Sequence, residues 1–147
     1  MIQHDLSQWP LVISVIHGAM TREEQSAFFS AWTSWLDRGE SFATLRVFSD
    51  AASLERPDGG AKEAKAWLQT NAERIKSLVK GMATVVPAES FEDMNRINAE
   101  KLFGVPAKTF DGVPSAIAWI SDSVFASRQP IDIPAAKRFL IGNDANG

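Results

Sequence analysis

The sequence predicts an α/β domain: a mostly parallel sheet of four to five strands with helices packed on it. Three observations predict it. Short apolar, β-branched runs alternate with longer segments of helical period along the chain. The runs LVISVIHG, FATLRVFSD and MATVVPA are close to continuous in apolar residues, as strands covered on both faces are. Most helical segments carry their own start and stop residues. The domain is expected over residues 1–125. Residues 126–147 are expected to be a C-terminal extension with a short helix and a frayed tail.

The elements follow in order. Residues 1–8 suggest a short partner strand, turning at Gln8-Trp9-Pro10 into the strand at 11–18. Thr21-Arg22-Glu23-Glu24 is a capping box, in which Thr21 accepts from the third helical N–H and Glu24 reaches back to the cap. The helix it starts places Phe28, Trp32, Trp35 and Leu36 on one face, and Gly39 is its stop. A strand at 42–50 leads through the loop 54–60 to a helix over 61–80, expected to end at Gly81. A strand follows at 82–88. Ser90 is expected to cap a helix to about Phe103, with Glu92 and Asp93 complementing its dipole and Gly104 as its stop. AKTF at 107–110 is the last strand, and Val113-Pro114 opens a helix with Ile117, Trp119 and Ile120. Asp132 and Pro134 mark a final helix over 134–141. Trp67 and Trp119 are expected in the core.

Composition narrows the function. A chain of 147 residues, 45% hydrophobic and 22% charged, is one ordinary globular domain. A net charge of -3 argues against a nucleic-acid binder. With no cysteine there are no disulfides, thiolate metal sites or Cys nucleophiles, which fits a cytoplasmic protein. No signal peptide or membrane-length apolar run is read. No cofactor is expected: ERPDGG lacks the Lys-Ser or Lys-Thr ending of a phosphate loop, and GVPSA is not a nucleophile elbow. No metal is expected either, because Asp50, Asp58, Glu89 and Asp111 lack close ligand spacing.

Right-handed crossovers place the ends of the parallel strands on one rim, the usual position of a ligand site. Those ends carry His17, Ser49 with Asp50, Glu89 with Ser90, and Asp111. His17 is the acid–base candidate, pairing with Asp50 or Asp111. Ser49, Ser53, Glu89 and Ser90 are candidates for contact with a ligand or partner. Asp50 is expected to accept backbone N–H groups in the turn after its strand, and Pro57 to Gly60 to sit exposed. One helix face cannot bury Phe28, Phe29, Trp32 and Trp35 together: the expectation is that most are core with one half-exposed, and the alternative is that Phe29 or Trp32 leaves an apolar patch for a partner, a homodimer or a lipid.

The element order resembles a STAS domain, the fold of the anti-sigma-factor antagonists. More narrowly, the chain is similar to short bacterial STAS-like proteins grouped with the CRAL-TRIO lipid-binding fold. The residues that carry the likeness are Trp9-Pro10, Gly18 with Thr21-x-x-Glu24, Trp67-Leu68-x-x-Asn71, Gly81 to Val86, and Ala118-Trp119-Ile120. In the antagonists the second core strand ends in Asp followed by hydroxyl residues, one of which is phosphorylated. This chain has Asp50-Ala51-Ala52-Ser53 instead, with Ser49 before the Asp. The resemblance implies a non-enzymatic regulatory or interaction module, acting through a protein partner or self-association. Two alternatives stand beside it: a binder of a small apolar ligand or lipid, and a small enzyme on the His17–Asp50 rim.

Overall fold

The computed structural model describes residues 1–55, 57–96 and 99–124. The helix expected at 134–141 and the extension 126–147 lie outside the described residues. The strands are β1 (Ile2–Asp5), β2 (Leu11–Ile16), β3 (Phe42–Phe48), β4 (Val79–Val85) and β5 (Ala107–Phe110), side by side in chain order in one sheet. β1 is antiparallel to β2, and the other three pairings are parallel. The helices are α1 (Arg22–Asp37), α2 (Gly60–Leu78), α3 (Phe91–Asn95), α4 (Ala99–Phe103) and α5 (Val113–Trp119). A π turn at Ile120–Val124 continues α5.

Each parallel crossover steps one strand in the same direction. A constant hand then puts the crossover helices on one face. There Val12, Ile16, Phe42 and Met82 pack against Phe28, Trp32, Trp35 and Leu36 of α1 and Ile75 of α2. α5 follows the last strand and packs on the other face, where Ala116 and Ile117 meet Ile13, Leu45, Ala83 and Phe110. Trp9 stacks on Phe42 at 5.3 Å, and its bond to Pro10 is cis.

Both halves of the capping box form. Thr21 Oγ1 accepts from the Glu24 N–H at 3.1 Å, and Glu24 Oε1 accepts from the Thr21 N–H at 3.2 Å. The chain leaves α1 through Gly39 at φ +69°, a conformation that favours glycine.

Two boundaries differ from expectation. α2 ends at Leu78 and passes straight into β4, so Gly81 is a strand residue and not a stop. Val79 is 1% exposed and pairs with Phe42 of β3, while Lys80 points to solvent. Strand pairing and burial of a β-branched residue outweigh the local tendency to prolong the helix. The helix expected from Ser90 to Phe103 is instead a 3-10 turn at Ala88–Ser90 followed by α3 and α4, and Ser90 makes no side-chain cap bond. Asn95 and Asn98 are weak helix formers within that stretch. Both short helices touch β5.

Candidate functional site

The carboxyl ends of β2 to β5 form the rim, and β1, being antiparallel, brings its start there. The Met1 ammonium donates to the His17 carbonyl at 2.7 Å and pairs with Glu24 Oε2 at 2.8 Å. That ammonium, together with the Thr21 N–H, holds the Glu24 carboxyl below its ordinary pKa. The capping box is thus tied to the strand end beside it.

Asp50 closes the corner between β3 and α2. Its Oδ1 accepts from the Ser53 N–H at 2.8 Å, which caps the 3-10 turn Ala51–Leu54. Both carboxylate oxygens also accept from the Gly18 N–H, each at 3.2 Å. One exposed carboxylate therefore braces two loops from neighbouring strands, as the sequence expectation of backbone acceptance requires. Ser53 is 2% exposed, and its hydroxyl donates to the Asp50 carbonyl at 2.5 Å. Ser49 is half-buried, and its Oγ is buried with no hydrogen-bond partner among the described residues.

The loop into α2 is held from α1. Arg22 Nη1 donates to the Asp58 carbonyl at 2.9 Å, and Gln25 Nε2 to the Gly60 carbonyl at 2.9 Å. Asp58 and Gly59 are exposed as expected, whereas Pro57 is half-buried and Gly60 is buried. A Cβ on Gly60 would stand 2.7 Å from Gln25 Oε1 and 3.1 Å from Pro57 Cδ, so a larger residue here would have to displace the Gln25 amide.

The rim does not gather its ionisable groups into one constellation. β2 and β5 are separated by β3 and β4. Three strand spacings, about 14 Å, keep Asp111 away from His17. His17 is beside the Asp50 corner, but among the described residues no hydrogen bond reaches its imidazole. Glu89 and Asp111 are exposed, and Ser90 is half-buried. Among the described residues no three His, Asp or Glu side chains could hold a metal ion. No described helix is long and apolar enough to cross a membrane.

Three of the four α1 aromatics, Phe28, Trp32 and Trp35, are core and Phe29 is half-buried, so among the described residues the alternative of an apolar patch on α1 is not found. Trp32 is 5% exposed and belongs to the core. Phe29 is half-buried, its ring stacked on Trp67 at 5.0 Å. Trp67 donates from Nε1 to Thr33 Oγ1 at 3.1 Å. α2 thus lays an indole over the side of α1 that helical period alone leaves open. Trp67 and Trp119 are half-buried flanks of the two clusters and not fully buried core.

Sequence reasoning missed a row of polar side chains inside the helix-covered face, with Arg46 at its centre. The signal was present as a polar residue among apolar ones, His4, Ser14, Arg46, Thr84 and Thr109, one of them in each strand. Only the register shows that they align.

No protein-family model matches the chain, and no curated protein matches it. Among solved structures it is similar to a protein from Shewanella loihica, described as an uncharacterized member of the DUF3478 family with a SpoIIAA-like fold. The identity is 17% and the TM-score 0.56, over 81% of this chain and 91% of that one. The likeness concerns the fold: this chain has a SpoIIAA-like, that is STAS-like, α/β fold.

Proposed function

We propose that the protein is a non-enzymatic interaction module that docks a basic protein partner on its carboxyl rim. One observation carries the reading: the Asp50 carboxylate is engaged by the Gly18 and Ser53 N–H groups, so it braces a platform and does not orient His17. A hydrolytic or proton-transfer site of the usual kind needs that orienting bond. Around that brace, the rim and the helix starts behind it present exposed carboxylates: Asp58, Glu89, Glu92, Asp93 and Asp111. Such a surface attracts cationic patches and repels acidic ones.

The reading departs from the anti-sigma antagonists in one respect. Ser53 is buried within its own turn, and the Ser49 hydroxyl is covered. Docking is therefore proposed to be independent of phosphate at either serine. The test is cross-linking mass spectrometry on protein isolated from its own host. The expected cross-links run from the rim carboxylates to lysines of one partner, and they weaken as salt is raised. Cross-links confined to the outer face of α2, or turnover of a substrate that stops on changing His17, would reject the proposal.

A further inference from the structure

Charge is distributed unevenly about the rim. Where α2 leaves it, Gly60 follows the Asp58 turn, and Lys62 and Lys65 stand in the first two turns of the helix. On the β4–β5 side are Glu89, in the turn after β4, and Asp111, directly after β5. All four side chains belong to exposed residues.

The helix does not explain its own lysines. A helix N-terminus carries partial positive charge and favours an acid, as Glu63 in the first turn illustrates. Lys62 and Lys65 oppose that field. Standing three residues apart, they are also neighbours on one helix face and repel each other. The residues four positions further on, Ala66 and Gln69, carry no charge to offset them. Glu63 is held by Arg22 at 2.9 Å, and among the described residues neither lysine forms an ion pair. Around them Ala61, Ala66 and Gln69 are exposed and short or neutral, so nothing charged shields the lysines from an approaching surface. Glu89 and Asp111 are likewise without an ion pair among the described residues.

We propose, building on the rim as a docking surface for a basic partner, that the partner is a second copy of this chain: Lys62 and Lys65 of one copy dock against Glu89 and Asp111 of the other. One molecule carries both halves of a complementary pair and does not join them within itself. A two-fold axis lets each half meet the other twice, because such a contact is self-complementary. Opposite charges then face each other at both places, whereas like patches brought together repel. The net charge of -3 opposes the approach of two copies, so the attraction is local and falls as salt is raised. Exposed ion pairs are individually weak, and the pairing is accordingly reversible.

The test is sedimentation velocity of the full chain over a range of protein concentration, at about 20 mM and about 0.5 M salt. Wild type is expected to shift from monomer towards dimer with concentration at low salt and to stay monomeric at high salt. Two double variants, Lys62→Glu with Lys65→Glu and Glu89→Lys with Asp111→Lys, should each stay monomeric while keeping the wild-type circular dichroism spectrum. An equimolar mixture of the two should dimerise, because reversal on both sides restores attraction. If either variant does not fold, cross-linking of mixed heavy-nitrogen and unlabelled wild type decides: mixed-isotope cross-links should join Glu89 or Asp111 to Lys62 or Lys65. Wild type that is monomeric up to about 1 mM at low salt, a dimer that neither double variant weakens, or mixed-isotope cross-links that avoid these residues each overturns the self-pairing. A monomer whose rim cross-links to lysines of a different protein overturns the self-pairing alone. Host cross-links that avoid the rim overturn the docking surface as well.

Discussion

The Asp50 corner and the Arg46 row use charge in opposite settings. At the corner an exposed carboxylate accepts from two backbone N–H groups and joins the turn after β2 to the turn after β3. In the row a partly buried guanidinium meets a threonine hydroxyl between apolar neighbours. The first arrangement is local and its partners are main chain, so it explains itself as structure. The second spans five strands and has beside it a buried hydroxyl, that of Thr44, with no hydrogen-bond partner among the described residues.

The largest effect that sharpens this contrast belongs to neither region. Trp32 is 5% exposed at the α1–α2 seam, beneath which the row runs. Trp32→Ala should lower unfolding free energy by about 3–5 kcal/mol in urea titration. A loss below about 1 kcal/mol would return Trp32 to the surface and reopen the patch on α1.

Asp50→Ala comes next. It removes a cap and a cross-loop acceptor at an exposed position, where water replaces part of the bonding. The expected loss is about 1–2 kcal/mol by the same titration, with Asp50→Asn retaining part of it. A neutral Asp50→Ala would mean that the corner is not held by this carboxylate.

His4 gives the row a pH signature. Burial lowers its folded pKa below the ordinary 6.5. Below pH 6.5 the unfolded chain then binds more protons than the folded one, so stability falls with falling pH until the folded pKa is passed. Above pH 6.5 this contribution is fully present. Urea midpoints at about pH 7.5 and about pH 5.5 should therefore differ more in wild type than in His4→Gln. Equal differences would show that the imidazole is free to charge in place.

The smallest effect is at Thr44. Replacing an unmatched buried hydroxyl by a methyl removes a desolvation penalty, so Thr44→Val should be neutral or stabilising by up to about 1 kcal/mol. A loss above about 1 kcal/mol would show that the hydroxyl has a structural partner.

How much of this was legible in the sequence follows the same division. The capping box at Thr21, the strand at 107–110 and the turn chemistry of Asp50 are local, and local reading finds them. The shared rim follows from the handedness of crossovers. Gly81 misled because glycine signals a helix stop only where no strand pairing competes. Which of Phe29 and Trp32 is covered stayed open because helical period describes one helix and cannot foresee the indole that α2 lays beside it. The pairing of His17 with Asp111 failed on strand order, which no local pattern carries. The row needed register across five strands, and a slip of one residue in any pairing would have dispersed it.

The central claim is that Asp50 supports the rim as a platform while the exposed carboxylates around it make the contact. Once cross-linking has named a partner, the direct measurement is its affinity for three variants, each paired with unfolding free energy. Asp50→Asn should lose stability and keep affinity in the folded fraction. Glu89→Lys and Asp111→Lys should keep stability and lose affinity, with a weaker salt dependence than wild type. Affinity lost in Asp50→Asn at unchanged stability, with both lysine variants binding normally, would contradict the account.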